Sequence, residues 1–111
     1  MKTKRSEREV QNAICEYLKL RGLFFWRQNT APTYQKDRQV YRKMPKFARK
    51  GVGDILLLHK GLFVCIECKS AVGRQSEPQK EFQEDVEKNG GLYIIARSVD
   101  DVIQGVLDAK T

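Results

Sequence analysis

Hydrophobic residues recur along this chain with two different periods, and the alternation between the periods outlines the fold. Val10, Ala13, Ile14, Tyr17 and Leu18 form an apolar stripe at helical spacing, which predicts a helix from about Glu7 to Arg21. Ser6-Glu7-Arg8-Glu9 reads as a capping box in front of it, with Ser6 as N-cap and Glu9 at the third helical position. Gly22 marks its end. Leu23-Phe24-Phe25-Trp26-Arg27 follows as a strand, whose aromatic residues are expected in the core. The segment from 30 to 50 shows no clear period and reads as a loop. Leu56-Leu57-Leu58-His59 and Leu62-Phe63-Val64-Cys65-Ile66 are apolar runs separated by Lys60-Gly61, which predicts a β-hairpin. Ser76-Glu77-Pro78-Gln79 is a second capping box and opens a helix to about Lys88, with Phe82 and Val86 facing inward. Gly90-Gly91 breaks the chain before a strand, Leu92-Tyr93-Ile94-Ile95-Ala96. Ser98 then caps a last helix carrying Val99, Val102, Ile103, Val106 and Leu107.

The predicted order is helix, three strands, helix, strand, helix: an α/β protein of the pattern αβββαβα. Both hairpin strands are apolar on both faces, so both faces of the sheet should be covered by helices. The connection from the hairpin through the 76–88 helix to the last strand would be a crossover, giving a mixed sheet. A length of 111 residues suits a single domain, 1–111, with a basic loop at about 30–50.

The turn sets a register that matters chemically. A two-residue loop at Lys60-Gly61 pairs His59 with Leu62 and thereby places Asp54 opposite Glu67. Directly opposed residues have Cβ atoms roughly 4.5–5.5 Å apart. Alternation along the strand puts Lys69 on the same face as Glu67. Two acids that close repel each other unless a cation lies between them, and buried charges are costly unless paired or bound to metal. The pair therefore points to a divalent-cation site able to activate water.

Charge narrows the partner. Lys and Arg number 21 against 14 Asp and Glu, a net charge of +7, which favours a polyanion such as nucleic acid. The excess concentrates between Lys36 and Lys50, where Lys36, Arg38, Arg42, Lys43, Lys46, Arg49 and Lys50 face only Asp37. Tyr34, Tyr41 and Phe47 are interleaved, a composition suited to a nucleic-acid backbone and unstacked bases. Arg27 and Asn29 are further candidates for phosphate. No run is long and apolar enough to span a bilayer, and the start MKTKRSERE lacks a signal-peptide core, so a cytoplasmic setting is expected. The cysteines, Cys15, Cys65 and Cys68, are odd in number, which argues against a disulfide framework. Cys65 and Cys68 formally match CxxC, but positions three apart on a strand point to opposite faces and could not share a zinc.

Gly53-Asp54-Ile55, then Glu67-Cys68-Lys69, then Ser76-Glu77-Pro78-Gln79, behind an N-terminal acidic helix, resemble the PD-(D/E)xK nuclease superfamily. Within it the likeness is to the virus-type replication-repair nuclease (VRR-NUC) domain, from Ser6 to about Val106, with Gly53 standing where the family usually has a proline. The resemblance implies a restriction-endonuclease-like core and a metal-dependent endonuclease acting on DNA phosphodiesters. Asp54 and Glu67 would bind Mg²⁺ or Mn²⁺, with the backbone carbonyl of Cys68 and a carboxylate from the first helix, directly or through water. Glu7 and Glu9 compete for that last place; Glu7 is preferred because Glu9 already serves the capping box. Lys69 would orient the attacking water or help deprotonate it, and Gln79 would support the site from the second helix. No small-molecule cofactor or membrane is implied. Stand-alone domains of this size look similar to Holliday-junction resolvases, which implies branched DNA as substrate and a homodimer. The alternatives are a flap-cutting or nicking nuclease, or a nuclease fold that binds DNA without turnover.

Overall fold

Ser6 starts the first helix in the computed structural model, which describes residues 5–28, 34–35, 40–41 and 45–107. Its hydroxyl accepts the Glu9 N–H at 3.1 Å, and the Glu9 carboxylate accepts the Ser6 N–H at 3.0 Å, so the capping box is complete. Helix α1 (Glu7–Leu20) buries Val10, Ile14 and Leu18, successive residues four apart on one face. Strand β1 is Phe24–Arg27. The basic segment is not wholly a loop: β2 (Tyr34–Gln35) and β3 (Val40–Tyr41) pair antiparallel as a small separate sheet. Among the described residues the order is therefore αβββββαβα, two short strands more than the sequence pattern predicts. Strands of two residues are too short to show a period, which is why the pattern missed them.

Strands β4 (Ile55–His59) and β5 (Leu62–Cys68) form the expected hairpin, paired His59 to Leu62 through Ile55 to Ile66. Lys60 and Gly61 have φ of 51° and 83°. Two consecutive left-handed residues match the twist of a tight hairpin, and Gly61 adopts that conformation without steric cost. Helix α2 (Glu77–Lys88) crosses over to β6 (Leu92–Ala96), which lies parallel to β5. Helix α3 (Val99–Val102) runs into a π-type turn over Ile103–Leu107.

The main sheet has the order β1-β4-β5-β6, antiparallel except for its last pair, and it is covered on both faces. On one face Val10, Ile14 and Leu18 of α1, with Val102 and Val106, pack against Ile55, Leu57, Val64 and Ile66. On the other, Phe82 and Val86 of α2 pack against Leu56, Cys65 and Tyr93. Cys65 and Cys68 fall into these two different clusters, so their thiols do lie on opposite faces.

The aromatic strand corrects an expectation. Phe25 packs into the core, but Phe24 and Trp26 are 65% and 42% exposed. Strand β1 is a sheet edge, and the α2-side cluster contains none of its residues. Among the described residues, no helix is long and apolar enough to cross a membrane.

Candidate active site

The hairpin opens at the end away from its turn, and the expected acids sit there. Asp54 immediately precedes β4, and its carbonyl accepts the Gln28 N–H at 2.8 Å, which carries the β1–β4 pairing one residue further. Its carboxylate reaches across the hairpin, where Oδ2 accepts the Cys68 N–H at 2.7 Å. Asp54 thus occupies the position opposite Glu67 in the register, with its side chain tied to the next residue of β5.

Beyond Cys68 the chain still follows β6, since the Lys69 N–H donates to the Ala96 carbonyl at 3.0 Å. Strand alternation then holds Glu67 and Lys69 on one face. Both are buried: Glu67 has no exposed surface, and Lys69 has 7%. Lys69 Nζ lies 3.4 Å from Glu67 Oε2. That contact is an ion pair without hydrogen-bond geometry, because Oε2 accepts no hydrogen bond. The other oxygen, Oε1, accepts the Tyr93 hydroxyl.

Electrostatics bind the acids into one site. Burial pushes the Asp54 carboxyl above the ordinary aspartate range, and the charges of Glu7 and Glu67 push it further; the Cys68 N–H and the Lys69 ammonium work against them. Glu7, exposed on the first turn of α1, therefore lies within the field of Asp54. Glu9 is engaged elsewhere: its hydrogen bonds with Ser6 lower its pKa. Asp54 thus feels the charges of Glu7, Glu67 and Lys69, and Lys69 itself pairs with Glu67. Carboxylate oxygens are the donors that Mg²⁺ and Mn²⁺ prefer. The unsatisfied, buried Oε2 of Glu67 is an oxygen that a cation would satisfy. Among the described residues, no three His, Cys, Asp or Glu side chains gather closely enough to hold a metal ion. A cation here would rest on Asp54 and Glu67, with backbone oxygen, water or phosphate completing its shell.

Gln79 has the local task that its sequence position suggested. Its side-chain oxygen accepts the Ser76 N–H at 2.8 Å, and its own N–H donates to the Ser76 hydroxyl. Gly51 packs against this helix start: its φ is 79°, and a Cβ there would collide with the Pro78 carbonyl. The 45–53 segment is thereby pressed onto α2 just ahead of Asp54.

The basic residues divide. Lys36, Arg38, Arg42 and Lys43, together with Asn29, lie outside the described residues. Lys46 and Lys50 are exposed, and Lys46 Nζ sits 5.4 Å from the ring centre of Phe47, which is itself 93% exposed. Arg49 is not free for phosphate in this arrangement: it pairs with Asp85 and lies 5.4 Å over the Phe82 ring, pinning its segment to α2. Arg27 is exposed at the end of β1, opposite Ile55 and so beside Asp54.

One partner of Glu67 escaped the sequence. Tyr93 reads there only as a strand residue. The parallel pairing of β5 with β6 is what brings it to the carboxylate, and no local pattern encodes it. Comparison with known proteins finds no matching family model, curated protein or solved structure, so the function must be argued from the residues themselves.

Proposed function

We propose that this chain is a divalent-metal-dependent DNA endonuclease of the PD-(D/E)xK kind, with a VRR-NUC-like, restriction-endonuclease-like core. The observation that carries the reading is the fully buried Glu67, whose Oε2 has only an ill-aligned Lys69 at 3.4 Å, close enough to the half-buried Asp54 for its charge to raise that carboxyl's pKa. Two desolvated carboxylates are an unfavourable arrangement in a purely structural core and a useful one around a cation. Asp54 and Glu67 would hold Mg²⁺ or Mn²⁺, with Glu7 acting from α1. Bound there, the ion would neutralise charge on phosphate and lower the pKa of its water. Lys69 stands where a compact positive charge would hold or help activate that water.

The net charge of +7 supports a polyanionic substrate. Lys46, Lys50 and Arg27, together with Lys36, Arg38, Arg42 and Lys43, would meet its phosphates, while Arg49 holds the segment in place. Four-way junctions or other branched DNA would be cut by a homodimer, because paired incisions need two sites related by a two-fold axis.

A second reading has its own support. Tyr93 already occupies Oε1, and Glu67 has no exposed surface, so a structural Tyr93–Glu67–Lys69 triad in a DNA-binding domain without turnover is the competitor. Supercoiled plasmid incubated with the protein separates the two. Nicking that requires Mg²⁺ or Mn²⁺ and stops with chelator supports the nuclease. DNA retardation without nicking in either metal supports the binding domain.

A further inference from the structure

Glu67 has two carboxylate oxygens, and the fold treats them differently. Tyr93 donates its hydroxyl hydrogen to Oε1, whereas Oε2 takes no hydrogen bond and faces Lys69 at 3.4 Å. The register explains the reach. Tyr93 stands opposite Cys65 on β6, two residues from the Glu67 level and therefore on the same face of the sheet.

Tyr93 is itself held in place. Gln75, in the connection between β5 and α2, donates from Nε2 to Gln83 Oε1 on α2 at 2.8 Å, which ties that connection to the helix. Phe82 packs edge-on against the Tyr93 ring, 6.5 Å between centroids. The ring is thus seated against α2, and its hydroxyl ends on one oxygen of Glu67.

We infer that Tyr93 is a positioning residue for the proposed site, locking the Glu67 carboxylate so that Oε2 is the oxygen offered to a divalent cation. The inference rests on the metal-dependent reading of that site. A carboxylate ligand whose second oxygen is hydrogen-bonded cannot swing, so less ordering remains to be done when the ion arrives. Without the hydroxyl, Glu67 would turn more fully toward Lys69.

Tyr93→Phe keeps the ring and removes only the hydroxyl. Mn²⁺ binding to the full chain, followed by paramagnetic resonance, reads the effect without depending on cleavage. The expected result is a loss of Mn²⁺ affinity of about 10- to 100-fold, the usual effect of removing a partner that orients a metal ligand. Metal-free DNA affinity should stay unchanged, and cleavage should recover toward the wild-type rate at saturating Mn²⁺. A merely structural role would instead weaken DNA binding and metal binding together, and that pattern overturns the inference. A folded Tyr93→Phe protein that binds Mn²⁺ as tightly as wild type also overturns it, while leaving the reading of the site intact. Wild-type protein that binds no Mn²⁺ overturns that reading and this inference with it. If Tyr93→Phe does not fold, Phe82→Leu, which loosens the seat of the Tyr93 ring, decides: a smaller but measurable loss of Mn²⁺ affinity supports the positioning role, and unchanged affinity overturns it.

Discussion

Lys69→Met tests the site before any DNA is added. Methionine has nearly the reach of lysine and no charge, so it leaves Glu67 buried with the Tyr93 hydroxyl as its one polar partner. At the observed 3.4 Å the lost attraction is about 5 kcal/mol for an effective dielectric near 20. Removing the ammonium also removes its own desolvation cost, and the Tyr93 bond remains. The net loss should therefore fall at the low end of the 3–5 kcal/mol typical of a broken buried pair, about 3 kcal/mol. Against a total stability of about 5–15 kcal/mol, that is a large fraction. Urea unfolding at neutral pH with chelator present measures it, as a lower midpoint with an unchanged slope. Adding Glu67→Gln to Lys69→Met should restore most of the loss, because a neutral pair in the same volume carries no uncompensated charge. Mn²⁺ at a hundredfold excess over its dissociation constant should stabilise the Lys69→Met protein by about 2.7 kcal/mol and leave the double variant unaffected. A loss below about 1 kcal/mol, the range of exposed pairs, would refute the reasoning.

Asp54→Asn should abolish metal-dependent nicking and raise the metal-free melting temperature at neutral pH. Because the folded Asp54 has a pKa above its ordinary value of 3.8, its ionisation penalises the fold. That penalty is absent at low pH, grows as pH rises from the ordinary value toward the raised one, and is complete above it. Calorimetry across a pH series should show the advantage of Asp54→Asn growing in that direction, and an advantage confined to acid pH would contradict it. Neutralising Lys46 and Lys50 should lower the slope of log DNA affinity against log salt by about 0.9 for each duplex phosphate that either lysine neutralises. Arg49→Ala should instead cost up to about 1 kcal/mol of stability, since its partner is Asp85 across an exposed surface. Light scattering should report a dimer, and Phe24→Glu on the exposed edge strand should reduce it to a monomer; a wild-type monomer at micromolar concentration with junction DNA present would remove the dimer from the proposal.

Much of this molecule is written locally. The stripe from Val10 to Leu18 follows the helical period because only that spacing brings the side chains to one face. Ser6 with Glu9, and Ser76 with Gln79, close their capping boxes through bonds between residues three apart. Lys60-Gly61 sets the hairpin register, and through it the level of Asp54, Glu67 and Lys69, because a two-residue turn leaves no slack for slippage. These features depend on neighbours a few residues away, so a sequence read in short windows contains them.

What the sequence alone left open depends on which distant elements meet. That β1 becomes a sheet edge, exposing Phe24 and Trp26, follows from a strand order that no window of sequence contains. Arg49 was indistinguishable from its basic neighbours until α2 brought Asp85 and Phe82 against it. Above all, the crossover through α2 lays β6 parallel to β5 and delivers the Tyr93 hydroxyl to Glu67, from a residue 26 positions later in the chain. Periodicity assigns each side chain to a face; only the pairing of strands across the crossover decides what stands beside it on that face.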